Sequence, residues 1–99
     1  MDGIEIQAIA ILTNVVDRLV GRASDTAASL RRLMAQRTDA AFEAAARSFG
    51  RLNPDTRRQI AYESELAARR TIELKSELPG LLGVMNRQTG YRRPDVKRR

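Results

Sequence analysis

The side chains that could do chemistry in this sequence are mainly basic, and they concentrate at its C-terminal end. Residues 87–99 hold six basic side chains and one acid, so they carry a net charge of +5 out of the +6 of the whole chain. Arginine and lysine neutralise phosphates, and a tyrosine can stack on an unpaired base. The sequence therefore predicts a polyanion-binding tail, with nucleic acid as the candidate partner. Its residues are Arg87, Tyr91, Arg92, Arg93, Lys97, Arg98 and Arg99. The alternative is an ordinary solvated terminus.

The residue types that most enzymes need are missing. The sequence has no histidine and no cysteine, which excludes Ser-His-Asp and Cys-His nucleophiles, thiolate metal sites and disulfides. Its acids fall mostly into helix caps or i,i+4 ladders such as Glu65 with Arg69, and no glycine-rich loop follows a strand. We therefore expect a protein that is not an enzyme, has no catalytic residues, metal site or cofactor, and binds no small-molecule ligand.

Length and composition favour one small helical domain with a thin core. The 99 residues are 42% hydrophobic but only 4% aromatic, so aliphatic side chains must build the core. Such a core leaves little margin over chain entropy, which favours an oligomer or a protein partner. The N-terminus is acidic, unlike a secretory signal, and charged residues interrupt the first apolar segment, so we expect a cytoplasmic protein without a membrane span.

Residues 4–20 are the most apolar stretch, and their periodicity predicts a helix that ends at Gly21. Apolar side chains cover well over half of its circumference, whereas a surface helix needs a stripe only a little over about 100° wide. This helix must therefore contact at least two neighbours or lie at an oligomer interface.

Cap residues predict the remaining helices. Ser24 or Asp25 begins a second helix, which runs to Gly50 and packs antiparallel to the first. Asn53-Pro54 begins a third, which continues to about Leu78.

The proline and glycine that follow, Pro79-Gly80, should interrupt the third helix, and residues 81–88 should form a short fourth helix or a docked turn. The expected fold class is all-α. We expect a small helical bundle with an antiparallel helical hairpin, a third long helix and a short fourth helix. Residues 1–88 form the single domain, and residues 89–99 form a flexible basic tail.

Two charged residues interrupt apolar stripes, Glu5 in the first helix and Arg37 in the second. Folding the two helices about the turn near Arg22 brings both residues to about one level. We therefore predict a structural ion pair between Glu5 and Arg37. The alternative is that each side chain reaches water from the margin of its stripe.

Helix surfaces are the predicted sites of protein contact. The third helix has a narrow apolar seam from Ile60 to Met85, and three helices cannot easily cover both this seam and the wide apolar face of the first helix. Tyr62 and Leu66 lie on the charged face and are either a docking point or two isolated surface residues. The predicted partner-binding residues are Ile9, Leu12, Val16, Val20, Tyr62, Leu66, Leu81 and Met85.

These features favour non-enzymatic association, in which the protein assembles with itself or binds and modulates a larger protein partner. The alternative is a nucleic-acid-associated protein that uses its basic tail for phosphate contacts. A helix-turn-helix protein is disfavoured, because the second and third helices are about 25 residues long. The third also carries four acids among its arginines: Glu63, Glu65, Glu73 and Glu77.

Overall fold

A computed structural model describes residues 3–88 of the chain, apart from the side chains of Arg70 and of residues 86–88. The five α-helices are α1 (Gly3–Leu19), α2 (Asp25–Gln36), α3 (Asp39–Gly50), α4 (Pro54–Ala67) and α5 (Ile72–Gln88). A 3-10 helix (Ala68–Arg70) joins α4 to α5. The described residues contain no strand, which confirms the all-α fold class.

Three helices pack against α1, namely α2, α4 and α5. Seven residues of α1 are buried: Ala8, Ile9, Ile11, Leu12, Thr13, Val15 and Val16. This confirms that α1 needs at least two neighbours, and it has three. Gly21 then ends the helix with a φ of 131°, a backbone conformation that side chains disfavour, and its N–H donates to the Val16 carbonyl at 3.0 Å.

The second predicted helix is two helices, so the prediction of one continuous helix is wrong. At its break Arg37 has a φ of 56°, in the left-handed region, and its backbone N–H donates to the Leu33 carbonyl at 2.8 Å. Thr38 then begins α3, because its hydroxyl accepts a hydrogen bond from the Ala41 N–H at 3.1 Å. A hydroxyl that satisfies a first-turn N–H stabilises a new helix start at this residue.

Arg37 is exposed at this break. Its Nε donates to the Met34 carbonyl at 3.3 Å, so the side chain helps to close the end of α2. The ion pair with Glu5 was predicted from a continuous second helix, which the structure divides at Arg37. The pair itself stays a prediction.

The third predicted helix divides at Thr71 rather than at Pro79. Thr71 has extended backbone, and its hydroxyl accepts the Leu74 N–H at 3.1 Å, which starts α5. Pro79 lies inside α5, so the predicted interruption and the separate fourth helix are both wrong. The N–H that proline lacks would bond to the carbonyl of Lys75, and both residues are exposed, so solvent can satisfy that carbonyl.

All five helices contribute to the core, in which α5 packs against α1, α3 and α4, and α2 packs against α1 and α3. Its largest fully buried side chains are Ile9, Leu12, Leu30, Leu33, Ile60, Leu78, Met85, Val16 and Ser64. Four fully buried alanines, Ala8, Ala27, Ala45 and Ala46, lie in the same core. Small side chains of this kind let helices approach closely, as expected for a core with few aromatic residues.

Candidate functional site

Five of the predicted partner-binding residues lie in the core and are at most 6% exposed. They are Ile9, Leu12, Val16, Leu81 and Met85. Because α2, α4 and α5 cover α1 within one chain, these side chains cannot contact a partner while the fold is intact. The structure therefore places these five residues in the core and not on the exposed association surface that the sequence analysis expected. Val20 is half-buried against the core.

The other two predicted contact residues, Tyr62 and Leu66, lie on the solvent side of α4. Tyr62 is 60% exposed and Leu66 is 38% exposed. Residues four apart on a helix adjoin on one face, so the two side chains form a ridge along α4. The sequence therefore predicted this exposed apolar pair correctly.

An open groove of about 460 Å³ lies on one side of this ridge, between α1 and α4. Its lining residues are Ile11, Asn14, Val15, Arg18, Leu66 and Ala67. Four of these six side chains are apolar, so the groove offers hydrocarbon surface next to the ridge.

The rim of the groove is held by an ion pair between α1 and α4. Arg18 donates to Glu63 Oε1 from Nη2 at 2.7 Å and from Nη1 at 3.1 Å, and Gln59 Nε2 donates to Glu63 Oε2 at 2.8 Å. Both carboxylate oxygens therefore have donors within the chain. Because the Arg18 side chain is 57% exposed, the pair contributes at most about 1 kcal/mol to stability. Its main effect is to hold the two walls of the groove together.

A cleft of about 230 Å³ lies on the other side of the ridge, between α4 and α5. It is lined by Glu65, Arg69, Lys75 and Pro79. The expected i,i+4 pair between Glu65 and Arg69 is absent from the ion pairs of the described residues. The 3-10 helix begins at Ala68, so Arg69 does not continue the α-helical rotation that would place it over Glu65.

Ile72, the first residue of α5, is 81% exposed and is the most exposed large apolar side chain that the structure describes. Sequence reasoning missed it because it placed Ile72 inside a continuous third helix. The signal that could have found it is Thr71, because a threonine that caps a helix puts the next residue in the solvated first turn.

We call the surface formed by the ridge, the groove, the cleft and Ile72 the α4 face. In residues 3–88, no group of three or more acidic side chains is placed to hold a metal ion. In the same part of the chain, no helix is long and apolar enough to cross a membrane.

The predicted polyanion-binding residues lie beyond what the structure shows. The Arg87 side chain is outside the described residues, as are Tyr91, Arg92, Arg93, Lys97, Arg98 and Arg99. The basic tail therefore stays a prediction of the sequence. Comparison of the chain with protein families, with curated proteins and with solved structures gives no match.

Proposed function

We propose that this protein acts by non-enzymatic association with another protein chain, and that the α4 face is its contact surface. The observation that carries the proposal is the ridge of Tyr62 and Leu66 beside an open, largely apolar groove. Tyrosine is enriched at protein interfaces because its ring contributes apolar area while its hydroxyl can keep a hydrogen bond.

The charges around the groove favour the same function. Arg18, Glu63 and Gln59 already bond to one another, so an apolar partner surface can cover the groove without leaving these groups unpaired. Burial of an unpaired charge makes the free energy of association less favourable, and the paired groups at this rim avoid much of that cost. The surface therefore suits the apolar side of a helix better than a charged peptide.

Site-specific photo-cross-linking in cells that express the full chain tests this proposal. A benzophenone amino acid at Tyr62 should give a covalent protein adduct, and the same residue at Ala35, which is exposed on α2, should not. Leu66→Glu should reduce the adduct at position 62 about tenfold, because a charge beside the groove opposes apolar contact.

Mass spectrometry of the adduct identifies the chain on the other side. Equal labelling from positions 62 and 35 would contradict the proposal, as would an adduct at position 62 that Leu66→Glu leaves unchanged.

A further inference from the structure

We propose that the partner of the α4 face is a second copy of this chain, related to the first by a two-fold axis at the C-terminal end of α4. This inference rests on the proposed function and names its partner. In a two-fold interface the same surface meets itself, so its charges must be complementary to their own arrangement.

Glu65 and Arg69 have that arrangement. They carry opposite charges, they line the same cleft, and neither takes part in an ion pair among the described residues. A two-fold axis that passes between them places Glu65 of each copy opposite Arg69 of the other. Two ion pairs can then form across the interface from residues that have no such partner in the described part of the chain.

The same pairing brings exposed apolar side chains into the interface, because Leu66 adjoins Glu65 in the chain and Tyr62 lies one turn before Leu66 on α4. Of the four large apolar side chains exposed in the described part of the chain, three lie on the α4 face, and the fourth is Leu19.

The composition of the face also suits an interface. A stable interface has an apolar centre and a polar rim. The α4 face has both parts, because Tyr62, Leu66 and Ile72 are flanked by the Arg18–Glu63 pair on one side and by Glu65, Arg69 and Lys75 on the other. An unrelated apolar helix would fit the groove but would leave Glu65 and Arg69 without partners.

Sedimentation equilibrium of the full chain over about 1 to 100 µM tests this inference. The wild-type chain should be a dimer at the upper end of this range. Glu65→Arg and Arg69→Glu should each weaken dimerisation at least about tenfold, because each puts like charges together at two symmetric places. The double variant E65R/R69E should recover to within about threefold of the wild type, since it restores opposite charges in reversed order.

The matched controls are Glu43→Arg and Arg47→Glu, which exchange the same residue types at the same spacing on exposed positions of α3. They should leave the dimer unchanged, and circular dichroism should show that all variants keep the helical fold. A chain that stays monomeric at 100 µM would overturn the inference, while a cross-link from Tyr62 to a different protein would still support the proposed function. A dimer that neither charge exchange weakens uses another surface and would also overturn it.

Discussion

The Ser64 hydroxyl is fully buried between helices and has no hydrogen-bond partner. A buried hydroxyl without a partner costs about 1 to 3 kcal/mol of the free energy of unfolding. Ser64 lies on α4, which contacts both α1 and α5, and a larger side chain at a fully buried position would force these helices apart. Its small size, rather than its hydroxyl, suits the site.

Ser64→Ala should therefore stabilise the protein by about 1 kcal/mol, because it removes the unpaired hydroxyl and nearly preserves the volume. Urea unfolding followed by circular dichroism measures this difference. Ser76→Ala is the control, because Ser76 is exposed on α5, and it should change stability by less than about 0.5 kcal/mol. A loss of stability in Ser64→Ala would show that the hydroxyl has a partner in solution.

Among the elements, α3 and α5 both begin at a threonine whose hydroxyl accepts a first-turn N–H, at 3.1 Å in each case. Thr71 has the larger structural role, because it separates α4 from α5 and sets the direction in which α5 crosses the core. The cap also holds Ile72 and the cleft residues in their places on the α4 face.

Thr71→Ala should destabilise the protein by about 1 kcal/mol, because the Leu74 N–H loses its acceptor. Thr71→Ser keeps the hydroxyl and should retain most of the stability. Thermal unfolding of both variants measures the effect, and a drop of about 4 to 8 °C in Tm is expected for Thr71→Ala. If alanine and serine gave the same Tm, the hydroxyl would not be a cap.

The sequence identified some helix boundaries and missed others for a physical reason. Gly21 and Asn53-Pro54 marked the end of α1 and the start of α4 correctly, because few residue types suit those backbone conformations. Thr38 and Thr71 are acceptable inside a helix as well as at its start, and only the packing of the next helix decides between the two. At Pro79 the sequence predicted a break where the helix continues. The helix tolerates this proline because the hydrogen bond that it removes lies on an exposed side of α5.

At the scale of the whole molecule, the number of helices decides which surfaces stay exposed. The two breaks turn two long helices into four shorter ones. Three of these, α2, α4 and α5, cover the apolar face of α1, which the sequence predicted to be an association surface. The exposure of Tyr62 and Leu66 was predicted correctly because they depart from the seam of their own helix, and that pattern is local. Burial of Ile9 or Met85 depends on contacts between distant helices, which residue spacing does not specify.

Removal of residues 90–99 distinguishes association through the α4 face from binding through the basic tail. Association through the α4 face should be unchanged within about threefold in sedimentation equilibrium, because the contact residues lie on α1, α4 and α5. Fluorescence anisotropy with a DNA duplex, titrated with salt, is the matching measurement for the tail. Loss of self-association in the shortened chain would contradict the α4 face as the contact surface.

The position of α1 at the centre of the packing has a consequence for synthesis of the chain. Because α1 precedes α5 in the chain, α1 is synthesised about 50 residues before α5 begins. At about 5 to 20 residues per second, this delay lasts several seconds. During that time α2 can cover part of α1, but the side that packs against α4 and α5 stays open. The nascent chain therefore exposes part of its most apolar helix until α5 has been made, and chaperones or proteases that bind apolar segments have their best access to the protein in that interval.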